Sequence, residues 1–109
     1  MDVPEISAEE LKERLARSPL PVLLDVRLPW EHQLVAIAGS VLVPLPALPQ
    51  MLDSLAPTLA GKEVVVYCHH GVRSLSGAAI LRGAGIDAVS LEGGIDGWSA
   101  TVDPALGRY

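Results

Sequence analysis

The sequence predicts an α/β fold in which a parallel sheet is covered on both faces by helices. Short apolar runs alternate along the chain with segments of helical periodicity about ten residues long, a pattern typical of parallel sheets. The chain has 109 residues, half of them apolar, which is enough to bury one core. Because no repeat, linker or low-complexity segment divides the sequence, we expect one domain over residues 1–109.

Four short apolar runs are the predicted strands. Val22–Val26 is continuous and apolar apart from Asp25, which is typical of a strand buried on both faces. Val41–Val43 is short and is followed by a proline, so we expect it near an edge of the sheet. Val64–Tyr67 is the clearest strand, and Ala88–Leu91 is the last.

The predicted helices lie between these strands and at both ends of the chain. They cover residues 6–18, 47–57, 73–81 and 95–100. Ser7 and Glu10 have the spacing of a capping box, and Pro57 is expected to end the second helix. The third helix contains many small residues that allow a close approach to the sheet, and the last is expected to bury Trp98. The polar segment 27–33 is predicted to be a loop with Trp30 partly exposed.

Charge and composition exclude several classes of function. The net charge of −5 has the wrong sign for binding a phosphate backbone, so no nucleic-acid partner is expected. The most apolar segment, residues 34–49, is interrupted by glycine and prolines, which argues against a membrane span. A single cysteine and an N-terminus without a basic region before an apolar one favour a cytoplasmic protein.

Cys68, directly after the clearest strand, can be read as packing or as chemistry. A free cysteine often behaves as a small buried hydrophobe. The following residues, His69 to Arg73, are too polar to continue the core and form a short loop before a helix. If this loop curls over Cys68, with Gly71 providing backbone freedom, its N–H groups and the helix N-terminus converge on the sulfur and favour the thiolate. This arrangement favours a nucleophile beside an anion-binding cradle.

The length of the loop distinguishes two kinds of nucleophilic reaction. Cys68 to Arg73 has the spacing C-x4-R, one residue shorter than a C-x5-R phosphate loop. A tighter ring of N–H groups favours a persulfide, with one extra sulfur atom, over a phosphocysteine. A cysteine-dependent phosphatase or arsenate reductase remains the less favoured enzymatic alternative.

Several motifs together resemble the rhodanese family of sulfurtransferases. They are DVR at Asp25–Arg27 with Pro29 and Glu31, then Ile37, Gly39 and VLVPL, CHHGVRS from Cys68 to Ser74, and LEGGIDGW ending at Trp98. The resemblance covers nearly the whole chain and implies a central parallel sheet of about five strands. It also implies that Cys68 carries a persulfide from an anionic donor such as thiosulfate to a thiophilic acceptor, either cyanide or a thiol.

The resemblance leaves the acceptor and the type of activity open. The acceptor could also be a protein, and the chain could be a non-enzymatic sulfur carrier or a binding module. No cofactor is expected for either role. One segment departs from the family pattern: Val35, Ala36 and Ile37 replace Gly-His-Ile, and Ala38–Ser40 replaces Pro-Gly-Ala. Core packing and an apolar docking patch are the two interpretations of this departure.

The remaining residues are assigned supporting roles. His69, His70, Gly71, Val72 and Arg73 form the predicted active-site loop, with Arg73 binding the anionic end of the donor. Asp25, Arg27 and Ser74 are supporting residues, and an ion pair of Asp25 with Arg27 is expected to brace the loop. No metal site is expected at Cys68, His69 and His70, because consecutive residues rarely bind one ion, and the histidines are predicted to point outward.

Overall fold

The computed structural model describes residues 2–109, and its centre is a five-stranded parallel sheet, which confirms the α/β prediction. The strands are β1 (Glu5–Ile6), β2 (Val22–Asp25), β3 (Val41–Leu42), β4 (Glu63–Tyr67) and β5 (Asp87–Leu91), in the order β1-β5-β4-β2-β3. The helices are α1 (Ala8–Leu15), α2 (Pro29–Leu34), α3 (Leu48–Leu59), α4 (Arg73–Gly83) and α5 (Gly94–Thr101). Short 3-10 turns cover Leu45–Ala47 and Pro104–Leu106.

Alternating side chains of β4 divide the core into two layers. Val64 and Val66 pack on one face with apolar residues of α3 and α4. Val65 and Tyr67 pack on the other face with apolar residues of α1 and α5, including the buried Trp98. Because successive residues of a strand point to opposite faces, Cys68, two residues after Val66, continues the layer that α4 covers.

The structure corrects three of the predicted elements. The segment predicted to be a loop contains α2, because Pro29 presets the first helical turn and Glu31 Oε1 accepts a hydrogen bond from Leu28 N–H. Pro57 does not end α3, which continues for two residues to the buried Leu59.

The third correction adds a strand that the sequence did not indicate. Glu5 and Ile6 form β1 at the edge of the sheet, beside Ser90 and Leu91 of β5. A strand of two residues is too short to show a periodicity of its own. The predicted edge position of Val41–Val43 is confirmed by β3, which pairs only with β2 among the described residues. Within residues 2–109, no helix has the length and apolar character needed to cross a bilayer.

Candidate active site

The ends of β2 and β4 place the predicted site residues on one rim of the sheet. Asp25 is paired in register with Tyr67, so the residues that follow each of them emerge side by side. Cys68 is the first residue after β4, and its side chain is only 1% exposed. The rim therefore presents a buried sulfur at the start of the loop that leads to α4.

Two main-chain N–H groups, one in the loop and one in the first turn of α4, point at the sulfur of Cys68. Gly71 N lies 3.2 Å and Ser74 N lies 3.3 Å from Sγ, and both donate hydrogen bonds to it. Ser74 belongs to the first turn of α4, so the positive end of the helix dipole also faces the sulfur. Gly71 has φ +97°, and a Cβ at this position would lie 3.1 Å from Gly93 N. The loop therefore needs glycine both for its conformation and for the space beside Gly93.

The N-terminus of α5 holds the first part of the loop from the other side. Ile95 N donates to the carbonyl of Cys68 at 2.9 Å, and Asp96 N donates to the carbonyl of His69 at 3.0 Å. This approach depends on Gly94, where φ is +61° and a Cβ would lie 2.4 Å from His69 O. The LEGG segment thus fixes the main chain at Cys68, a contribution of Gly94 that the sequence alone did not indicate.

Two buried serine hydroxyls lie beside the sulfur. Ser74 Oγ is 3.5 Å from Cys68 Sγ, and Ser90 Oγ is 2.7 Å from Ser74 Oγ. Both serines are fully buried. The sequence indicates Ser74 as a supporting residue, but Ser90 was missed. The feature that could have identified Ser90 is a polar residue at an inward-facing position of a buried strand.

Arg73 is the last residue of the loop, and its guanidinium is directed to α2. Nη1 and Nη2 donate to the two carboxylate oxygens of Glu31 at 2.7 and 2.9 Å. Glu31 is buried, and the hydrogen bonds from Arg73, followed by one from Tyr109, lower the pKa of Glu31 to about 2 despite its burial. The structure therefore shows Arg73 in a bidentate ion pair that joins the start of α4 to α2.

Asp25 and Arg27 form the predicted ion pair, and both side chains are fully buried. Arg27 Nε and Nη2 donate to Asp25 at 2.9 and 2.7 Å. Burial alone would raise the pKa of Asp25, but hydrogen bonds from Arg27 and His32 outweigh it and lower the pKa. Arg27 also donates to the carbonyl of Val35, so the pair braces the segment after α2 as well as the rim.

Tyr109 connects this buried pair to the active-site loop. Its hydroxyl accepts a hydrogen bond from Arg27 at 2.9 Å and donates one to Glu31. Its ring stacks on the ring of His69, with 3.8 Å between the centroids. It also forms a T-shaped pair with the ring of Trp30, with 6.0 Å between the centroids. Nothing in the sequence pattern indicated this position, because the contacts of Tyr109 join segments far apart in the chain.

The two histidines of the loop differ in their surroundings. His70 is exposed, as predicted, whereas His69 is half-buried and its Nε2 donates a hydrogen bond to the carbonyl oxygen of Tyr109. Val72, at the end of the loop, also faces solvent, and Trp30 is partly exposed as expected. The prediction that both histidines point outward is therefore wrong for His69, because the ring of Tyr109 covers it.

His69, His70 and Asp96 bring possible metal-ligand atoms within 4.8 Å of one another. The two imidazole rings are stacked at 3.8 Å with 27° between their planes, so their lone pairs lie in two separate stacked planes, and an ion could not lie close to both planes at short range. Both oxygens of Asp96 also accept hydrogen bonds from Arg108 at 2.9 and 3.0 Å. This arrangement does not match the convergent geometry of a protein metal site.

The segment that departs from the rhodanese pattern, residues 35–40, is covered unevenly: Ile37 is buried, Val35, Ala36 and Ser40 are half-buried, and Ala38 and Gly39 are exposed. Ile37 is buried in the layer beneath α1 and α5, and Val35 packs against the same layer. Ile37 N donates to Tyr67 Oη at 3.2 Å, and Ser40 Oγ lies 2.8 Å from the same oxygen. Core packing is therefore supported for Val35 and Ile37, whereas Ala38 and Gly39 face solvent and do not pack into the core.

The family model of the Rhodanese-like domain matches residues 7–101, which include the whole loop and the strands that carry it. The chain belongs to this rhodanese-like family. This finding confirms the resemblance inferred from the motifs at Asp25, Cys68 and Trp98. In this family context, the loop from Cys68 to Arg73 is the candidate active-site loop of the domain.

Relatives and solved structures agree with this assignment. The chain is 36% identical over 105 residues to the probable adenylyltransferase/sulfurtransferase MoeZ of Mycobacterium tuberculosis, covering 95% of this chain but only 26% of MoeZ. It is 36% identical over 100 residues to the thiosulfate sulfurtransferase GlpE of Pseudomonas savastanoi, covering 91% of this chain and 87% of GlpE. The crystal structure of a rhodanese-like domain protein from Staphylococcus aureus superposes with a TM-score of 0.81 at 31% identity, over 97% of this chain and 98% of that one.

Proposed function

We propose that this rhodanese-like domain is a sulfurtransferase that uses Cys68 as its nucleophile. The thiolate attacks the outer sulfur of an anionic donor such as thiosulfate, the S–S bond of the donor breaks, and sulfite leaves with the bonding electron pair. The resulting Cys68 persulfide then gives its outer sulfur to cyanide or a thiol, and the thiolate is restored. GlpE and MoeZ carry sulfurtransferase in their names, which supports sulfur transfer as the reaction class.

The main observation that supports this proposal is the pair of N–H groups at the sulfur. Gly71 N and Ser74 N both donate to Sγ, and the first turn of α4 adds its dipole. These donors stabilise negative charge on the sulfur of Cys68, which the nucleophile needs before attack. The charge that develops on the sulfurs during transfer is stabilised in the same place without reorganisation of the loop.

The other loop residues have positioning and recognition roles in the proposal. Arg73 places a positive charge beside the loop, and its ion pair with Glu31 holds the start of α4 against α2. His70 and Val72 are exposed at the mouth, where a donor or an acceptor would approach. The acceptor is a small thiophile or a protein that brings its own thiol to this mouth.

The decisive experiment is the intact mass of the protein after incubation with thiosulfate. We expect the wild-type chain to gain the mass of one sulfur atom and to lose it when cyanide or a thiol is added. Cys68→Ser is the control, since it keeps the size of the side chain and removes the only thiol of the chain. No mass gain with thiosulfate, mercaptopyruvate or a protein persulfide would contradict the proposal.

Two further measurements separate the alternative functions. Cys68-dependent hydrolysis of an aryl phosphate would favour phosphoryl chemistry in place of sulfur transfer. A protein that gains sulfur, but transfers it slowly to small thiols and rapidly to a protein in a cell extract, would be a sulfur carrier. We expect measurable transfer to cyanide and no phosphatase activity.

A further inference from the structure

Ser90 lies under the active-site loop, on a strand that the mechanism above does not use. In the sheet, Ser90 of β5 is paired with Val66 of β4. Val66 and Cys68 belong to the same layer of the core, so Ser90 is beside the strand end that carries the nucleophile. Its hydroxyl lies 2.7 Å from that of Ser74, which in turn lies 3.5 Å from the sulfur of Cys68.

The state of the sulfur determines which way this chain of hydrogen bonds runs. A neutral thiol can donate its S–H to Ser74 Oγ, which lies 3.5 Å from the sulfur. A thiolate has no proton to donate, so Ser74 must then donate to the sulfur, and its oxygen is free to accept from Ser90. A hydroxyl that accepts a hydrogen bond is a stronger donor, because successive hydrogen bonds polarise one another.

We propose that Ser90 is a positioning residue for Cys68: its buried hydroxyl donates to Ser74 and thereby directs the hydroxyl of Ser74 at the thiolate. In the thiolate form the sulfur then receives three donors, the N–H groups of Gly71 and Ser74 and the Ser74 hydroxyl. Both serines are fully buried, so water does not compete for these bonds. The consequence for sulfur transfer rests on the function proposed above, whereas the effect on the thiolate does not.

Other charges near the loop also affect the thiolate. The ionisable side chains on the loop, and on the segments that pack around it, are Asp25, Arg27, Glu31, His32, His69, His70, Arg73, Glu92, Asp96, Arg108 and Tyr109. None of them is changed in the variants below, so their effects cancel when the variants are compared with the wild type. A difference between the wild type and Ser90→Ala therefore reports on the hydroxyl chain.

The test is the pH midpoint at which Cys68 becomes a thiolate, measured by the ultraviolet absorbance of the thiolate with Cys68→Ser as the baseline. We expect Ser90→Ala to raise this midpoint by about 0.5–1 pH unit, the effect of one hydrogen bond of ordinary net strength. Ser74→Ala should raise it by at least as much. In the Ser74→Ala background, Ser90→Ala should cause no further change, because the residue through which Ser90 acts is absent.

Two matched controls separate this effect from a general effect of losing a buried hydroxyl. Ser99 is a buried serine on α5 whose Oγ has no hydrogen-bond partner among the described residues, so Ser99→Ala should leave the midpoint unchanged. Ser90→Thr keeps the hydroxyl and should keep the wild-type midpoint, whereas Ser90→Val, of similar shape, should raise it. The Thr and Val pair also decides the question if Ser90→Ala does not fold.

Sulfur loading gives a second readout that a structural defect would not mimic. Ser90→Ala should load sulfur from thiosulfate about 3- to 10-fold more slowly at a pH below both midpoints, as expected from the smaller thiolate fraction. The difference should disappear at a pH above both midpoints. The inference would be overturned if the wild type and Ser90→Ala had equal midpoints. It would also be overturned if Ser90→Ala raised the midpoint as much in the Ser74→Ala background as it does in the wild type. Shifted midpoints without any sulfur loading would instead contradict only the proposed function.

Discussion

Arg73 and Glu31 form a bidentate ion pair, with N to O distances of 2.7 and 2.9 Å, between the end of the active-site loop and α2. The sequence favoured Arg73 as a ligand of the donor, yet its two terminal nitrogens are bound to a buried carboxylate. The pair fixes where α4 begins, and so fixes the N–H group of Ser74 that points at the sulfur. The role of Arg73 in the site is therefore at least partly one of positioning.

Glu31→Gln should weaken this connection. We expect the free energy of unfolding at neutral pH to fall by about 1.5–3 kcal/mol, the range for hydrogen bonds to charged groups. The pKa of Glu31 is lowered from 4.5 to about 2, so its stabilisation is complete above pH 4.5 and is lost as the pH falls toward 2. Urea unfolding from pH 7 to pH 2 should show the gap between wild type and Glu31→Gln closing in that window. Glu9→Gln, on the exposed face of α1, is the control, and its free energy of unfolding should follow that of the wild type over the whole pH range.

Gly71→Ala should disrupt the loop over Cys68. The φ of +97° strains any side chain, and the new Cβ would meet Gly93 N at 3.1 Å. We expect a loss of about 1–3 kcal/mol of stability and a large loss of sulfur loading from thiosulfate. Gly83→Ala is the matched control, because Gly83 lies in α4 with no atom within 4 Å of the place that the new methyl group would take, and it should be neutral or stabilising. Unchanged loading in Gly71→Ala would contradict the assigned loop geometry.

Asp25→Asn should be one of the most destabilising single changes in the chain. It leaves Arg27 charged and fully buried without its carboxylate, and the expected cost is about 3–5 kcal/mol. The exposed pair of Asp96 and Arg108 provides the contrast, since Arg108→Ala should change the thermal midpoint much less. Equal effects of the two variants would show that burial of the Asp25 pair does not determine its importance.

Tyr109→Phe should remove a hydroxyl that bridges Arg27 and Glu31 while keeping the ring that stacks on His69. We expect a loss of about 1 kcal/mol at neutral pH. Burial, followed by the hydrogen bond to Glu31, raises the pKa of Tyr109 from 10.0 to about 12. The stabilisation is therefore complete below pH 10 and is lost as the pH rises through 12. In that alkaline range, the thermal midpoint of the wild type should approach that of Tyr109→Phe. A constant difference between the two midpoints would contradict the proposed contribution of the Tyr109 hydroxyl.

Much of the fold follows from short stretches of the sequence. The apolar run before Cys68 predicts β4, and the capping box of Ser7 and Glu10 is present in the structure as predicted. The predictions were wrong where local rules compete with packing. Pro57 remains inside α3 because Leu59, beyond it, is buried in the core, and Pro29 starts a helix in a segment that its polar residues suggested was a loop.

The sequence by itself determined the order of four of the five strands and four of the five helices, the place of Cys68 at a strand end, and the short loop that follows it. These features depend on residues that are neighbours in the chain, so local periodicity and spacing predict them. Only the tertiary structure decided which side chains complete the site. The partners of Ser74, Arg73 and Tyr109 lie 16, 42 and 78 residues away, and their contacts exist only because parallel strands bring distant segments to one rim.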